Sequence, residues 1–549
     1  MERRALIAVV ISLFILVLYQ EVVLRYLYPH PAREQAAREA APLQPPPPPA
    51  AGRIEKPAPP VVPPLRVAAA PRPRPAPEGR HVTVETDLFT AVFTSSGARL
   101  ESFRLKKYRT TVDPRSPLQE TVVPGEGGEL PFGVELRGTA TRTDAGAPYT
   151  VSRESLQLQG DETGSIDFRW ETEQGTVRKR FTFRGDRYEF VADISARNVP
   201  RDYKELGISW FKGTPARPKG SADVIFDRTV FLEGHKLKED HFDKLADGKI
   251  LTGDIRWAGY AGRYFLAAMI PAQAENYRLW LKLRDHTVEE KILFPITSQA
   301  VERHLDVYIG PKVFDALDGV GHGLSRAVNL GWFGFIALPL LHALNILYAL
   351  TRNYGIAIIL LTAVIKVIFL PLTQRSFRSM QAMQKLQPQM AKIRERFKDN
   401  SEQMNKEIME LYRRHKVNPL GGCLPMVLQV PVFIGLYEGL LNSVELRHAP
   451  FYLWINDLSA PDRLGSLQLP FVQHPGIPVL TLLMGVSMFV QQWMTPTAGD
   501  PTQQRVMMIM PLLFTFMFVN FPSGLALYWL VNNLLTIAQQ YYMNRTTSR

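Results

Sequence analysis

The chain has 549 residues, a formal net charge of +12 and a single cysteine. One cysteine excludes an intramolecular disulfide framework, and Cys423 reads as a small buried residue within a helix. A mean hydropathy of −0.08 averages a lipid-soluble part with a water-soluble part, so it excludes a chain of one uniform class.

The first element is an apolar run from Ala5 to Leu18, preceded by Arg3 and Arg4, which hold that end in the cytoplasm. The bulky YQEVVLRYLY that follows offers no small-residue cleavage site, so residues 1–28 are expected to form a retained transmembrane anchor. Residues 29–79 contain PPPPP at 45–49 and PRPRP at 71–75, which favour an extended polyproline spacer. Residues 80–320 are expected to be mainly β and to build a large sandwich. HVTVETDLFTAVFTSSGARLESFRL alternates as a strand, a turn at Ser95-Ser96-Gly97 and a second strand. TVRKRFTFRGDRYEFVADISARN repeats the pattern around Gly185-Asp186, and PKVFDALDGV near the end is helical. Asp193, Glu233, His235 and His241 lie scattered in this part, without catalytic or metal-ligand spacing.

Later apolar runs at about Gly355–Leu372, Leu420–Leu441, Ile477–Met494, Val506–Phe521 and Leu525–Tyr541 bring the expected spans to six, with both termini cytoplasmic. A further run, Val328–Leu350, would place the strongly basic segment Thr373–Val417 outside if it also spanned, against the positive-inside rule. Residues 321–354 are therefore expected to hold an interfacial amphipathic helix. Residues 374–417 read as a cytoplasmic helical hairpin. Met383, Leu386, Met390, Ile393 and Phe397 recur at coiled-coil spacing, Pro388 restarts the helix, and Asn400 with Gln403 resembles a capping box. Its arginines, Arg394, Arg396, Arg413 and Arg414, either form a plain solvated face or dock a partner such as a ribosome or targeting factor.

Lys366 lies inside GIAIILLTAVIKVIFLPL, a run that spans about 27 Å as helix. A lysine in such a helix costs about 2.5–3.5 kcal/mol on insertion scales. Either it snorkels to the headgroups, roughly 9 Å away along the helix, or it faces a hydrated recess. At similar depth fall Gln429, Ser487, Thr515, Asn532 and Asn533, with Thr362 one turn away on the same helix. Singly each could only bond a neighbouring helix; together they suggest a wet cavity around an unpaired cation. Glu438, about 27 Å above the cytoplasmic start of its helix, is too distant to pair with Lys366. No nucleotide loop, metal cluster or catalytic triad is apparent, so neither a cofactor nor an enzymatic activity is expected.

The segments NYGIAIILLTAVIKVIFLPLT, VNPLGGCLPMVLQVPVFIGLYEGL, SVELRHAPFYLWINDLSAPD and FPSGLALYWLVNN follow one another in order. With the anchor and the outer β domain, they closely resemble the YidC/Oxa family of bacterial membrane-protein insertases. The resemblance runs from the anchor to residue 541 and is most specific in the last 200 residues or so. It implies a multi-domain inner-membrane protein, with a six-span α-helical membrane domain and a large periplasmic β-supersandwich. It implies a five-span core over 355–541 whose cytoplasm-open hydrophilic groove receives nascent membrane proteins and releases them sideways into the bilayer, alone or with the Sec translocon. The family's groove cation is usually arginine, so Lys366 departs from it and lacks the planar fork for bidentate carboxylate capture. The tail, 542–549, is short, and no strong ribosome-binding extension is expected from it. Two rival classes are a secondary transporter with a buried cation, which should show internal repeats, and a membrane-anchored carbohydrate-active protein acting through the β domain.

Overall fold

The structure is a computed structural model that describes residues 79–172, 175–214, 227–272, 277–398, 400–417, 424–467, 475–495 and 501–547, with backbone alone for 424–427, 501–506 and 546–547. The expected anchor and proline-rich spacer lie outside the described residues.

Alternating inward and outward side chains generate the β domain. Along Gly175–Arg184, Val177, Lys179, Phe181 and Phe183 turn inward, and Phe190, Ala192, Ile194 and Ala196 do the same along Glu189–Arg197. These strands pair antiparallel around the expected Gly185-Asp186 turn, with Phe183 opposite Phe190. The stretch expected to make two strands makes three: His81–Glu85, Phe89–Thr94 and Arg99–Arg109. The extra break is a side-chain turn, in which Thr86 Oγ1 accepts from the amides of Leu88 at 3.2 Å and Phe89 at 3.0 Å. A threonine hydroxyl that competes for backbone amides in this way interrupts a strand without glycine or proline. The Ser95-Ser96-Gly97 turn lies where expected, with Gly97 at φ 72°.

Three sheets of five, nine and six strands result. All pairings are antiparallel except that of His81–Glu85 with Ser155–Gln157. Between them lies one core rich in phenylalanine. Phe89 stacks on Phe103 at 4.3 Å, Phe93 meets Phe181 at 4.7 Å and Phe183 meets Phe190 at 4.9 Å. Each such ring contributes about 2–3 kcal/mol of transfer free energy.

One charged knot interrupts this apolar layer. Lys179, fully buried, lies 2.6 Å from Asp144 and donates to the carbonyls of Gly97 and Phe132 at 2.7 and 2.6 Å. Asp144 also binds Arg99 at 2.6 Å and accepts from the Tyr149 hydroxyl at 3.0 Å. The turn after Phe89–Thr94 is thereby pinned to the neighbouring sheet by fully satisfied charges, the condition under which buried ions are tolerated.

The chain leaves the sheets through the short helix α1 (Phe314–Val320) and enters α2 (Gly334–Thr351) and α3 (Tyr354–Lys385). Then come α4 (Gln387–Arg396), α5 (Ser401–Arg414), α6 (Leu424–Asn442), α7 (Val479–Met494), α8 (Pro501–Phe518) and α9 (Ser523–Thr547). By length and composition α2 and α3 are apolar enough to cross a membrane, and α7 and Met507–Phe518 are shorter apolar helices. Contrary to a simple two-faced pattern, α2 is apolar on most sides: Phe335, Ile346 and Leu350 are exposed, and only Ala337 and Leu344 are buried. Its polar side chains are used locally. His342 packs edge-on against Phe314, and Asn345 accepts from the Tyr354 hydroxyl at 3.3 Å.

Helix α3 starts where Asn353 caps the Ile356 amide at 3.1 Å. Gly355 lies so close to the Phe451 ring that a Cβ there would overlap it. This helix runs on past Leu372 to Lys385, so the first arm of the expected hairpin begins as its continuation. Pro388 then opens α4, and Asn400 Oδ1 caps α5 by accepting from the Gln403 amide at 3.0 Å. Leu386, Met390, Leu411 and Tyr412 form the thin seam between the arms.

At the end of the bundle beneath the β domain, the loop after α6 is held by two aspartates. Asp457 Oδ1 accepts from the amides of His448 and Ser459 at 3.1 and 2.8 Å. Asp462, only 3% exposed, accepts from the Trp454 indole at 2.5 Å and from the amides of Leu480 and Thr481, which places a carboxylate on the N-terminus of α7. Arginines join domain and bundle. Arg263 Nε donates to the Leu441 carbonyl at 2.9 Å, while Arg447 donates to Gln119 at 2.9 Å and lies over the Phe265 ring.

Candidate functional site: a polar seam between apolar helices

Lys366 projects from α3 towards α9 and is half-buried. Its ammonium donates to Thr536 Oγ1 at 2.6 Å and to Asn532 Oδ1 at 3.4 Å. The cation expected to stand unpaired is thus held by two neutral acceptors on another helix. The physical reason is the spacing of Asn532 and Thr536, one turn apart on a single face of α9. The Thr536 hydroxyl donates a hydrogen bond to the backbone carbonyl of Asn532 at 2.6 Å, which leaves a lone pair of its oxygen for the lysine. Among the described residues no carboxylate is involved, so the positive charge is solvated there but not neutralised.

The same two helices meet again further along. Gln539 Nε2 donates to Thr373 Oγ1 at 3.0 Å, and Gln381 Nε2 donates to Asn544 Oδ1 at 3.3 Å. Together with Lys366 these contacts make a ladder of polar rungs between α3 and α9 that leads from mid-helix to the basic hairpin. A second row on α9 faces α7. Asn533 Nδ2 donates to Ser487 Oγ at 3.0 Å, and Gln540 Nε2 donates to Thr495 Oγ1 at 3.1 Å. From α6, Gln429 bonds the Tyr528 hydroxyl of α9. Helix α9 is therefore the polar hub, and its neighbours are bonded to it one by one.

The expected lining separates into two groups. Asn532 lies at the lysine. Asn533, Ser487 and Gln429 form the other inter-helix bonds, with Asn533 only 2% and Ser487 5% exposed. Thr362 and Thr515 return their hydroxyls to their own helices, to Ile358 O at 2.6 Å and Pro511 O at 2.7 Å. Thr362 is buried, and Thr515 sits where α7 and α8 approach, against Gly485. Threonine back-bonding of this kind satisfies the hydroxyl in an apolar setting without any cavity. Glu438 accepts from Asn442 at 3.2 Å, separately from Lys366.

Sequence reasoning did not single out Thr536, Gln539, Gln540 or Tyr528. The signal was present in NNLLTIAQQ, where polar residues recur four and three apart on one helix face. Around the seam the helices present apolar surface: Val364, Val367 and Ile368 beside Lys366, and Leu534 on α9, are all exposed. On the hairpin, Arg414 pairs with Glu410 at 2.6 Å within α5, and Arg396 lies over Phe397. Arg394 is half-buried and Arg413 exposed. Among the described residues no cluster of His, Cys, Asp and Glu is arranged to hold a metal.

A β sandwich joined to apolar helices, with a solvated cation between two of them, defines an integral membrane protein that carries a large extramembrane domain. Residues 81–343 match the family model described as the YidC periplasmic domain, and residues 346–549 match the one described as the 60Kd inner membrane protein. A "Membrane protein insertase YidC" of Syntrophobacter fumaroxidans is 40% identical over 99% of this chain and 100% of its own length. Another, from Citrifermentans bemidjiense, is 42% identical over 85% of this chain and 86% of its own. A solved structure of an active YidC insertase with its first transmembrane domain resolved covers 84% of this chain and 92% of that one, at 21% identity and a TM-score of 0.36. The chain belongs to the YidC family of membrane protein insertases. It is accordingly an inner-membrane protein with a periplasmic β domain. The transporter and carbohydrate-active alternatives are not favoured.

Proposed function

We propose that this protein receives nascent hydrophobic segments from the cytoplasm along the α3–α9 seam and releases them sideways into the inner membrane. The observation that carries this reading is the Lys366 ammonium, held between otherwise apolar helices by Thr536 and Asn532 with no counter-ion among the described residues. A cation solvated by neutral dipoles keeps its field, and in a low-dielectric setting that field reaches an acidic group on an arriving segment with little screening. The polar rungs at Thr373–Gln539 and Gln381–Asn544 offer hydrogen bonds to a hydrophilic stretch moving from the hairpin towards Lys366. Adjacent exposed residues such as Val367 and Ile368 offer apolar contact to the hydrophobic part, which gains about 25 cal/mol per Å² on entering lipid.

No bond is made or broken in this scheme, so it needs neither a catalytic group nor a cofactor. In the proposed topology the anchor and five later helices span the membrane, both termini are cytoplasmic, and α2 lies along the periplasmic interface. The hairpin, with Arg394, Arg396, Arg413 and Arg414, is the proposed docking surface for ribosomes or targeting factors, and the Sec translocon is a proposed partner.

The decisive experiment compares client proteins whose translocated segments are acidic or neutral. Insertion is read as protease accessibility after synthesis into vesicles that contain the variant. Lys366→Arg should retain insertion of both, and Lys366→Glu should reject the acidic client by like-charge repulsion. Equal handling of the two clients by the Glu variant would remove the electrostatic role.

A further inference from the structure

A second polar site lies at the other end of the bundle, where the β domain meets the membrane helices. The cleft there encloses a cavity of about 30 Å³ that widens to about 420 Å³ with the solvent at its mouth, and Lys312, Asp315, Leu338, Leu341, Asn442 and Glu445 help to line it. Lys312 follows the strand Ala300–Pro311 and is only 8% exposed. Its amide donates to Tyr264 O at 2.8 Å, but among the described residues its ammonium has neither a hydrogen bond nor an ion pair.

The charges that act on this ammonium are Arg228, Glu239 and Arg263. Glu239 is already occupied by Arg228 at 2.5 Å and by Asn329 at 3.3 Å. Lys312 is therefore a buried cation at the cleft that no carboxylate among the described residues pairs. Burial, reinforced by Arg228, pushes the Lys312 pKa down to about 8. A buried, unmatched cation is costly, and an anion supplied from outside removes that cost.

The mouth has the opposite sign. The Asp315 side chain is 77% exposed there, 3.8 Å from the His342 imidazole, and half-buried Glu445 is oriented by the Ser443 hydroxyl at 2.6 Å. The remaining wall is apolar: Leu338 and Leu341 lead along α2 towards exposed Phe335 and Ile346. Trp332, 91% exposed, stands just before that helix, as aromatic side chains do at headgroup level. The cleft thus combines a buried cation, an acidic rim and a greasy exit.

We propose that this cleft binds the headgroup of a phosphoethanolamine lipid from the periplasmic leaflet. The phosphate sits on Lys312, the amine meets Glu445 and Asp315, and the acyl chains run along α2. A free phosphate matches only the first of these features. A choline headgroup has no N–H to give the carboxylates, and a glycerol headgroup has no cation at all.

Native mass spectrometry of the full chain in detergent, titrated with palmitoyl-oleoyl phosphatidylethanolamine, phosphatidylcholine or phosphatidylglycerol, tests this. The wild type should retain the ethanolamine lipid preferentially. Lys312→Met should lower its occupancy about tenfold, the scale of a charge-assisted hydrogen bond lost from a buried site, whereas Lys312→Arg keeps it. Glu445→Gln should bind phosphatidylglycerol as readily as phosphatidylethanolamine. Undiminished retention by a folded Lys312→Met protein, or equal retention of the three lipids by the wild type, overturns the proposal. If Lys312→Met does not fold, the headgroup preference of Glu445→Gln decides, and an unchanged preference overturns it. Displacement of the lipid by millimolar inorganic phosphate would assign the cation to soluble phosphate and remove the lipid from this account.

Discussion

Single side chains show how differently this protein treats charges in its two halves. Lys179 and Asp144 pair deep in the β core; Lys179→Met leaves Asp144 to Arg99 alone and takes the donor from the Gly97 and Phe132 carbonyls, so it should cost about 1–3 kcal/mol in thermal or denaturant unfolding of that domain. Glu290 is fully buried, and neither carboxylate oxygen has a hydrogen-bond partner. Burial raises its pKa from 4.5 to about 8. Across that interval the folded state holds a proton that the unfolded chain has released, so stability falls as pH rises from about 4.5 to 8. Melting of the β domain should therefore drop between pH 5 and 8, and Glu290→Gln should flatten the drop. Lys179, lowered to about 8 by burial, adds a slope of opposite sign only above that pH.

In the membrane half the polar side chains differ in access. With Cys423 replaced by serine, cysteines at Asn532 and Gln539, both half-buried, should react with an impermeant thiol reagent added from the cytoplasm. Those at Thr362 and Asn533, 1% and 2% exposed, should stay protected. Labelling at Thr362 would mean that α3 carries a wetter face than its back-bonded threonine implies. The sequence made Lys366, Asn532 and Asn533 visible because polar residues in an apolar run stand out by cost alone. It could not separate Thr362 from Thr536, since a hydroxyl bonded to its own helix and one bonded across helices share the same composition. Asp144 and Lys179 were equally hidden, because alternation gives the inward face of a strand but not the charge waiting on the next sheet.

At the scale of elements, helix α3 is fixed at one end by a contact and along its length by rungs. Gly355→Ala would drive a Cβ into the Phe451 ring and should destabilise the bundle by about 1–3 kcal/mol, as overpacking does. Phe451→Leu should relieve part of that loss, so the double variant is less than additive. Cysteines at Thr373 and Gln539, whose native side chains meet at 3.0 Å, should be joined by a short bifunctional thiol reagent in the Cys423→Ser background. Failure to cross-link would break the ladder at its middle rung. Strands, hairpin arms and the Pro388 restart were legible because periodicity and turn residues act locally. The Thr86 turn was not, for it depends on one hydroxyl, and the order of strands in the sheets was not either, since it depends on contacts far apart in the chain.

For the whole molecule, stability should be unevenly distributed. The β domain has one extended aromatic core, whereas the helical hairpin is held by four buried side chains, Leu386, Met390, Leu411 and Tyr412. Amide exchange should therefore open α4 and α5 far sooner than the strands Gly175–Arg184 and Glu189–Arg197, in keeping with local unfolding of thinly packed elements. Comparable protection in both would show that the hairpin is stabilised by something beyond its own seam.

The length of α3 has a mechanical consequence. Its 32 residues make a rod of about 48 Å, seated at one end against Phe451 and joined at the other to the hairpin through Leu386. Pro371, five positions past Lys366, cannot donate to the carbonyl of Val367, so the rod has a built-in weak point just beyond its cation. A load applied at the hairpin therefore bends the lever there, below the fixed end. It swings the Thr373 and Gln381 rungs while the Lys366 stretch stays aligned with the seat at Gly355.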